Sequence, residues 1–562
     1  MWGNLPPFLI SLLIARGIRT PVEAAAFLSP SLDQLHDPFL MLGMDIAVRR
    51  IRDAIAAGEL ILIYGDYDVD GTTAVVLLRT AIERLGGAVR FHVPHRLREG
   101  YGMQREILEN AAREGVRLVI SVDTGIRAFA AADAAAELGL DLIVTDHHLP
   151  EALPGRAEST LPRALAILNP NQPGCPYPCK HLCGAGVAFK LSQALLEQHE
   201  LETARTKLIP SFLKLLAIAT VADAVPLLGE NRVFVAVGIQ ELQRPASSGL
   251  RALMQVAQLD PAQKSLTPID IGFRLAPRIN AAGRMDIASE VVELFTTRDP
   301  HRALAIAQKL EQLNTDRRNT EAAALDQILA QLDQPHFLNA RCLVIDGDGW
   351  HRGVIGILAS RVVDRTGKPA LVLAHEDGEA HGSGRSIPAF HLLNAIESCH
   401  DLFTRFGGHA HAAGFSLPSD RVSELRQRLA DYAATHLSDE DLGAPIEYDA
   451  ALPIESVDES LYSWLKKLEP CGMDNEEPVF LAENIRIAAA PRIMKEKHIR
   501  LQFSLDRGVR TISAVGWNLA ETLAAFHLQQ NSHIDLLYKV RKNDHPTYGG
   551  IELEILALRP AQ

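Results

Sequence analysis

The segment Leu60–Leu78 constrains the fold more than any other part of the chain. It opens with a short apolar run, Leu60–Tyr64, of the kind that forms a strand buried on both faces. Three carboxylates follow at alternate positions, Asp66, Asp68 and Asp70, and then an apolar helical pattern begins. Burying three crowded acids is very costly unless a cation neutralises their charge. The segment therefore predicts a divalent-metal site at the carboxyl end of a parallel strand.

Two other interpretations of this motif stay open when it is considered alone. A calcium-binding EF-hand loop also begins Asp-x-Asp-x-Asp-Gly, but it needs a preceding helix and a glutamate at its twelfth position. Counting from Asp66, that position is occupied by Leu77, and a strand pattern precedes the motif. A solvated acidic turn without a function is the second alternative.

Strand and helix patterns alternate after this motif. The predicted strands are Val89–Val93, Leu118–Val122 and Asp141–Thr145, and the predicted helices are about Gln104–Glu114 and Phe129–Leu138. This alternation is typical of a parallel sheet with helices on both faces, where ligands bind beyond the carboxyl ends of the strands. Asp123 follows one of these strands and Asp146-His147-His148 follows another. We therefore expect these side chains to lie beside the acidic motif.

The rest of the chain predicts further structural units. Pro150–Pro178 is rich in proline and predicts a long surface loop, and one long helix is predicted from Asp299-Pro300 to Leu332. A second α/β unit begins at Cys342, and short strands after about Ile446 predict a small antiparallel barrel. The predicted barrel strands are Ile499–Leu505, Arg510–Val515, Ile534–Val540 and Ile551–Leu556.

These patterns predict an α/β protein of four parts. They are a parallel-sheet domain with N-terminal helices at 1–240, a helical region with the connector helix at 241–335, a second α/β domain at 336–440 and a barrel at 441–562. Two amphipathic helices are predicted near the N-terminus. Two further helices are predicted, one at Phe212–Ala222, directly before Asp223, and one at Arg274–Arg284.

Composition excludes some classes of function. The net charge of −13 over 562 residues argues against coating nucleic acid by bulk charge, although a local basic groove remains possible. The apolar run Leu5–Ala15 is too short to span a bilayer and lacks the features of a secretory signal, so we expect no membrane partner and a cytoplasmic location. Six cysteines are few for this length and suggest a reducing compartment.

Three of those cysteines, Cys175, Cys179 and Cys183, lie close together with His181 between them. Their spacing differs from the common zinc and iron–sulfur patterns. We interpret them as ordinary loop thiols.

Several motifs occur in an order that resembles a known family. They are Asp66-Tyr-Asp-Val-Asp-Gly71, Asp123-Thr-Gly125, Asp146-His-His148, Asp223, Arg278-Ile-Asn-Ala-Ala-Gly-Arg284, Gly382-Ser-Gly-Arg-Ser386 and Gly407-Gly-His-Ala-His-Ala-Ala-Gly414. The series resembles the DHH phosphoesterase superfamily, and most closely its RecJ family of bacterial single-strand-specific 5′→3′ DNA exonucleases. The resemblance implies a DHH domain, a DHHA1 domain for the second α/β unit and an OB-like barrel.

The resemblance also implies two Mn²⁺ or Mg²⁺ ions for phosphodiester hydrolysis. Asp68 and Asp70 would hold opposite ions, with Asp66 on the first and Asp123 bridging both. The shell of the second ion would be completed by His147 and Asp223. The second histidine, His148, would protonate the leaving 3′ oxygen or stabilise charge in the transition state, and Asp146 would orient a histidine.

The expected substrate is single-stranded DNA with a 5′ end, degraded to 5′-mononucleotides by a monomer. Ser383 and Arg385 would bind the terminal phosphate, helped by Arg96. Other substrate-binding residues implied by the resemblance are Arg278, Asn280, Arg284 and His409. In the barrel, the expected strand-binding residues are Arg492, Lys495, Lys497, Arg500 and Trp517, and further aromatic candidates are Phe503, Tyr538 and Tyr548. DNA repair and recombination, with a helicase and a single-strand-binding protein as partners, are expected by family likeness.

Two alternative functions remain at this stage. One is a DHH phosphoesterase for short oligonucleotides, cyclic dinucleotides or pyrophosphate. The other is a non-catalytic DNA-binding replication factor, which would be expected to lose metal ligands that this chain keeps.

Overall fold

The computed structural model describes residues 2–3, 5–95, 102–152, 159–245, 247–285, 288–332, 334–442, 446–505, 510–543 and 549–561. The helices are α1 Pro7–Ala15, α2 Pro21–Leu28, α3 Met44–Ala57, α4 Val69–Arg84, α5 Arg105–Arg113, α6 Phe129–Glu137, α7 Gly184–Thr203, α8 Ile209–Ala222, α9 Gly229–Leu242, α10 Ser248–Val256, α11 Pro268–Asp270, α12 Ala276–Met285, α13 Ser289–Thr296, α14 Pro300–Leu332, α15 Pro335–Leu338, α16 Ile355–Thr366, α17 Leu392–Glu397, α18 Val422–His436, α19 Glu459–Leu465 and α20 Ala520–Ala525.

The strands are β1 Leu60–Tyr64, β2 Ala88–His92, β3 Val116–Val122, β4 Asp141–Thr145, β5 Glu151–Ala152, β6 Ser159–Thr160, β7 Ala166–Leu168, β8 Leu343–Asp348, β9 Ala370–Glu376, β10 Glu379–Arg385, β11 Arg405–Gly408, β12 Ala412–Pro418, β13 Ala450–Ala451, β14 Phe480–Arg486, β15 Arg492–Met494, β16 His498–Leu505, β17 Arg510–Gly516, β18 His533–Asn543 and β19 Gly550–Pro560.

The first sheet is parallel throughout, with strand order β2-β1-β3-β4-β7. Its inner strands alternate between two apolar cores. Ile61 and Ile63 of β1 pack with α3, α4, α7 and α8, whereas Leu62 and Tyr64 pack with α5 and α6. Helices therefore cover both faces, as the alternation of patterns predicts. We call this sheet with α3–α10 the first unit.

The prediction of a continuous surface loop over Pro150–Pro178 is wrong in part. Ala166–Leu168 forms β7, which pairs in parallel with β4 and contributes buried side chains to the sheet. Three residues surrounded by prolines are too few to give a strand pattern, because pairing with β4 rather than local propensity fixes their conformation.

Helices link the first sheet to the second α/β unit. The long helix α14 contains 33 residues and extends roughly 50 Å, as the pattern predicts. The helix predicted over Arg274–Arg284 is also present, but it begins earlier, at Pro268, and contains a wide turn at Ile271–Leu275 before α12. Wide turns of this kind often occur near functional sites.

The other two sheets complete the predicted fold class. The second has strand order β11-β12-β10-β9-β8, with only β8 and β9 parallel. The third has order β13-β14-β18-β19-β17-β16-β15 and is antiparallel except for the β13–β14 and β17–β19 pairs. A bridge between Ile487 and Phe503 joins the end of β14 to β16, so this sheet curls back on itself like a barrel.

The N-terminal helices pack into the C-terminal core. Leu9, Leu13 and Phe27 from α1 and α2 share one apolar cluster with Ile454 and Tyr538. The two ends of the chain therefore form one packed body, which we call the C-terminal unit: α1, α2, α19, α20 and β13–β19. None of the helices in the described part of the chain is long and apolar enough to cross a membrane.

A buried ion pair holds the helices behind the first sheet. The Lys190 ammonium on α7 is fully buried and donates to Glu230 Oε1 on α9 at 3.0 Å and to the carbonyl of His36 at 2.7 Å. The hydroxyl of Tyr177 donates to the other carboxylate oxygen of Glu230 at 2.6 Å. Burial lowers the pKa of Lys190, while the charge of Glu230 opposes that shift.

Removing this carboxylate is expected to be strongly destabilising. Glu230→Gln leaves the Lys190 cation buried beside an amide, so the free energy of unfolding should fall by about 3–5 kcal/mol in urea denaturation. The double variant Lys190→Met with Glu230→Leu should recover most of that loss, because it buries no charge. A cost below about 1 kcal/mol for the single variant would contradict this account.

Candidate metal centre

The acidic motif lies at the start of α4, directly after β1. Asp68 caps this helix, accepting a hydrogen bond from the Gly71 amide at 3.0 Å. Asp70 lies in the first turn and is almost fully buried. Its two oxygens accept from the amides of Gly184 and Ala185 at 2.6 and 2.8 Å. Thus the first amides of α7 hold an acid that belongs to α4, as helix N-termini commonly do for anions.

Asp123 follows β3 and has an unusual backbone. Its φ is 59°, and its amide donates to the Thr145 carbonyl at 2.9 Å. The start of α7 approaches it so closely that a Cβ at Gly184 would lie 2.3 Å from Asp123 Oδ1. Glycine is therefore required at position 184 for α7 to reach the acids, a contact that sequence reasoning missed.

His147 and Asp223 bring two further elements to the same place. His147 Nε2 lies 3.3 Å from Asp123 Oδ1, 3.9 Å from Asp70 Oδ2 and 3.8 Å from Asp223 Oδ2. Asp223 is the residue at which α8 ends. The predicted convergence of these motifs at one sheet edge is therefore present.

Three sets of side chains have potential ligand atoms within 4.8 Å of one another. They are Asp66, Asp68 and Asp123; Asp70, His147 and Asp223; and Asp123, His147 and His148. The first two sets together contain the six residues that the resemblance assigns to the two ions. Which atom binds which ion stays a prediction.

Asp146 fixes the positions of both histidines. Its Oδ1 accepts from the amide of His147 at 2.8 Å and lies 2.7 Å from His148 Nδ1, while its Oδ2 accepts from the Ile126 amide. The geometry is that of a carboxylate that orients a histidine, as expected. Burial works against ionisation of Asp146, but its hydrogen bonds to His148 and Ile126 more than offset this and lower its pKa.

Two asparagines that the sequence did not reveal support the histidine pair from behind. Asn169 Nδ2 donates to the His148 carbonyl at 2.9 Å, and Asn171 Nδ2 donates to the His147 carbonyl at 2.8 Å. Both asparagines directly follow β7, in the sequence Asn-Pro-Asn. They could have been placed at this sheet edge only if β7 had been predicted as a strand.

The electrostatics of the site are dominated by repulsion between buried acids. Burial, followed by the charges of Asp70 and Asp68, raises the pKa of Asp123 and of Asp223 well above the usual range for aspartate. Burial lowers the pKa of His147 despite the neighbouring Asp70. A neutral imidazole is the form that binds metal ions.

A pair of divalent cations fits these residues. Asp123 Oδ1 and Asp223 Oδ2 are buried and accept no hydrogen bond within the described structure. Uncompensated buried carboxylate oxygens are costly, and a bound cation would remove both that cost and the mutual repulsion. Carboxylates with one imidazole suit Mg²⁺ or Mn²⁺, and the nitrogen ligand favours Mn²⁺.

A cleft of about 480 Å³ lies next to the acidic motif. Tyr67, Arg284, Ser383 and Arg385 line it, together with Arg352, Arg405 and strands β10 and β12. Arg385 donates to Ser383 Oγ and to the Gly384 carbonyl, so both predicted phosphate-binding residues are adjacent. Arg284 donates to the Gly353 carbonyl of the second α/β unit at 2.9 Å.

The rest of the Arg278–Arg284 motif contacts the acidic loop or the connector helix. Asn280 Oδ1 accepts from the Val69 amide at 3.2 Å, and a Cβ at Gly283 would lie 2.5 Å from the Tyr67 carbonyl. Arg278 forms an ion pair with Glu311 of α14. These contacts give the motif a structural role. Direct substrate binding by Arg278 and Asn280 stays a prediction.

The remaining predicted residues lie in several places. Arg96 and Tyr548 lie outside the described residues. His409 and His411 are exposed on the turn between β11 and β12. Of the basic barrel residues, Arg492, Lys495 and Lys497 are exposed and Arg500 is half-buried.

The aromatic residues of the barrel separate into surface and core. Trp517 is 54% exposed and packs edge-on against His498. Phe503 and Tyr538 are fully buried core residues, so the idea that they serve as stacking platforms is wrong. Both lie on strands whose inward positions alternate with outward ones, and they occupy the inward set.

The cysteine cluster holds free thiols. Cys175 and Cys183 are buried and Cys179 is half-buried. Within the described residues, the potential metal sites contain no cysteine and do not include His181. The interpretation as ordinary thiols remains a prediction.

Comparison with known proteins identifies three matching domains. The model of the DHH family N-terminal domain matches residues 60–220, the DHHA1 domain matches 336–435 and the RecJ OB domain matches 448–556.

Curated relatives named single-stranded-DNA-specific exonuclease RecJ match most of the chain. The Bacillus subtilis protein is 37% identical over 92% of this chain, which spans 64% of that relative's length. The Dickeya dadantii protein is 36% identical over 99% of this chain and 96% of its own length. The crystal structure of Thermus thermophilus RecJ in complex with Mn²⁺ has a TM-score of 0.83 at 28% identity, covering 100% of this chain and 76% of that one.

Neutralising one acid should stabilise the metal-free protein. The pKa of Asp123 is raised, so its protonated form favours folding at low pH, and that stability is lost as pH rises from the ordinary aspartate pKa of 3.8 through the raised value. In EDTA near pH 8, Asp123→Asn should increase the free energy of unfolding by about 1 kcal/mol or more, and the gain should shrink towards pH 4.

Adding Mn²⁺ should make the wild-type protein more stable to unfolding than Asp123→Asn. The wild-type protein should gain about 2.7 kcal/mol at a hundredfold excess over Kd, and Asp123→Asn should gain much less. Asp133→Asn on the exposed side of α6 is the matched control and should behave like wild type. Equal Mn²⁺ responses in Asp123→Asn and wild type, measured by chemical denaturation, would argue against ligation by Asp123.

Proposed function

The chain belongs to the RecJ family of single-stranded-DNA-specific exonucleases, and from this premise we propose that it hydrolyses single-stranded DNA from the 5′ end and releases 5′-mononucleotides. It is a metal-dependent hydrolase that uses two Mn²⁺ or Mg²⁺ ions. One observation carries the proposal: five aspartates and His147, contributed by elements far apart in sequence, face one another beside a cleft lined by Ser383 and Arg385.

The reaction joins a water oxygen to phosphorus and breaks the bond from phosphorus to the 3′ oxygen of the departing nucleotide. When bound, the two divalent ions neutralise phosphate charge and lower the pKa of water. Asp123, whose Oδ1 lies 3.3 Å from His147 Nε2, is proposed to contact both ions and so to set their separation. The amides of Gly184 and Ala185 hold Asp70 in place, which removes its freedom to turn away from the site.

His148 is the proposed proton donor to the leaving 3′ oxygen. Its Nδ1 is engaged by Asp146, and Nε2 is the nitrogen proposed to give up the proton. Burial by itself lowers the pKa of His148, but the hydrogen bond and charge of Asp146, with the charges of Asp70 and Asp66, raise it overall. A raised pKa favours the protonated ring, which is the form that a general acid requires.

The cleft beside Tyr67 is the proposed site for the 5′ phosphate. Arg385 offers charge-assisted hydrogen bonds, Ser383 adds a hydroxyl, and Arg284 contributes a second guanidinium from α12. The start of α16 lies close, since a Cβ at Gly356 would be 3.1 Å from Ser383 Oγ. His409 is proposed to contact the strand nearer the scissile bond.

The C-terminal unit is proposed to hold the strand downstream of the cut. The exposed cations Arg492 on β15 and Lys495 and Lys497 between β15 and β16 are proposed to follow the phosphate backbone, and Trp517 offers a ring on which a base can stack. Binding of this type is independent of sequence and weakens with salt. A monomeric state, a cytoplasmic location, helicase and single-strand-binding protein partners, and a role in repair and recombination complete the proposal.

End-labelled strands test the proposed reaction. A 5′-labelled single strand should yield labelled mononucleotide immediately with Mn²⁺, whereas the same strand labelled at its 3′ end should release its label last. EDTA should abolish both signals, and a blunt duplex should resist degradation. Early release of the 3′ label, or cleavage in EDTA, would contradict the proposal.

Arg385→Ala should weaken recognition of the terminal phosphate selectively. Losing a charge-assisted hydrogen bond of about 1.5–3 kcal/mol raises KM for a 5′-phosphorylated strand by about 10- to 150-fold, with a much smaller change for a 5′-hydroxyl strand. Arg428→Ala, which removes a surface ion pair with Asp401, is the control. Steady-state kinetics on the two strands decides, and equal losses on both would reject the assignment.

A further inference from the structure

A buried arginine far from the acidic cluster has every donor satisfied by another part of the chain. Arg232 lies in the first turn of α9 and is 2% exposed. A guanidinium has five N–H donors, and five backbone carbonyls accept from this one. The acceptors are Phe27, Lys467, Leu468, Glu469 and Pro470, at 2.8, 3.3, 3.0, 2.8 and 3.2 Å.

All five acceptors belong to the C-terminal unit. Phe27 lies on α2, and its ring lies 3.8 Å below the guanidinium carbon. The other four carbonyls lie between α19 and β14. No carboxylate of the described residues forms an ion pair with Arg232, and burial lowers its pKa to about 10, so it remains charged at neutral pH. A planar cation matched by five fixed acceptors permits one orientation of the two units.

Neighbouring contacts strengthen the same interface. Asn475 is buried and donates to the carbonyls of Leu468 and Pro470 at 3.0 and 2.8 Å, which fixes two of the acceptors that Arg232 uses. The Leu227 amide of the first unit donates to the Met473 carbonyl at 2.8 Å. The interface therefore joins main chain to main chain as well as side chain to main chain.

The first turn of α9 is also tied to the metal centre. Glu230, two residues before Arg232, pairs with Lys190 of α7, and the opening amides of α7 hold Asp70. Leu227, which contacts the C-terminal unit, follows Asp223 by one short turn. The segment from Leu227 to Arg232 thus connects the acidic cluster with the C-terminal unit.

We propose that Arg232 is a positioning residue that locks the C-terminal unit onto the first unit in a single orientation, so that the Trp517 surface and the metal centre engage the same DNA strand. This inference rests on the proposed function for its role in strand binding. Arg232 touches neither DNA nor metal. It acts by keeping the metal centre and the Trp517 surface at a fixed separation. A strand bound at one of these surfaces then meets the second at a raised effective concentration.

The first test measures orientation without DNA. Spin labels at Asp133→Cys on α6 and Glu521→Cys on α20 report the distance between the units by pulsed electron spin resonance. The distribution should be narrow in the otherwise wild-type chain and at least about twofold broader in Arg232→Met. Arg251→Met on α10, an exposed arginine, should leave it narrow. An unchanged distribution in Arg232→Met would overturn the proposal.

The second test compares strands of different length. We expect a strand of about 30 nucleotides to reach the C-terminal unit and one of about 4 nucleotides to be bound at the metal centre alone. Arg232→Met should lower kcat/KM about tenfold on the long strand and leave the short strand within about twofold. A general folding defect would lower both rates together. An unchanged ratio of long to short activity would refute the role of Arg232 in strand binding.

A second variant covers the case in which Arg232→Met does not fold. Gly472 faces Leu227 across the interface, and a Cβ there would lie 2.6 Å from Leu227 Cδ1. The valine side chain in Gly472→Val should clash with Leu227 and displace the C-terminal unit from the first unit. It should broaden the distance distribution and lower kcat/KM on the long strand in the same way as Arg232→Met. If the wild-type chain degrades no DNA, the proposed function fails, whereas the distance measurement still decides whether Arg232 sets the orientation.

Discussion

Repulsion between buried carboxylates is the constraint on which the rest of the structure depends. Asp66, Asp70 and Asp123 are each at most 5% exposed, and Asp68 and Asp223 are beside them. Collecting these acids is unfavourable without cations, so the surrounding fold must hold them rigidly until ions bind. The start of α7 does this for Asp70, and Asp146 does it for the histidines. The acids and histidines are therefore held by hydrogen bonds from the start of α7 and from Asp146.

Direct contacts also connect the metal centre with the other two units. Asn280 and Gly283 of α12 contact the acidic loop directly, and the next residue, Arg284, reaches the carbonyl of Gly353 in the second α/β unit. On the other side, α9 links the acids to the C-terminal unit through Arg232. Under the proposed function, a strand held by its 5′ phosphate beside Arg385 and along its backbone by the C-terminal unit would have one phosphodiester bond presented to the ions.

The parallel sheet and the candidate metal residues could be predicted because their signals are local. Buried strands give apolar runs, and side chains at their carboxyl ends meet at one edge, so Asp66, Asp123 and His147 could be placed together from sequence. β7 could not, because three residues gain their strand conformation from pairing with β4. Asn169 and Asn171 were missed for the same reason.

Contacts between distant segments were also beyond the reach of sequence patterns. Nothing local in Glu230-Asn-Arg232 indicates that the first residue meets Lys190 and the third meets five carbonyls of the C-terminal unit. Likewise, the pattern around Phe503 and Tyr538 indicates strands, and only the folded structure shows that both side chains are buried. Sequence thus predicted which residue types carry the chemistry, and tertiary packing decided what holds them in place.

The most direct measurement is anomalous X-ray diffraction from crystals of this protein grown with Mn²⁺. Our account predicts two manganese peaks roughly 3.5–4 Å apart, one beside Asp66 and Asp68, the other beside His147 and Asp223, with Asp123 between them. Crystals that show no manganese at these side chains, although the protein is folded and the ion is in large excess, would contradict it.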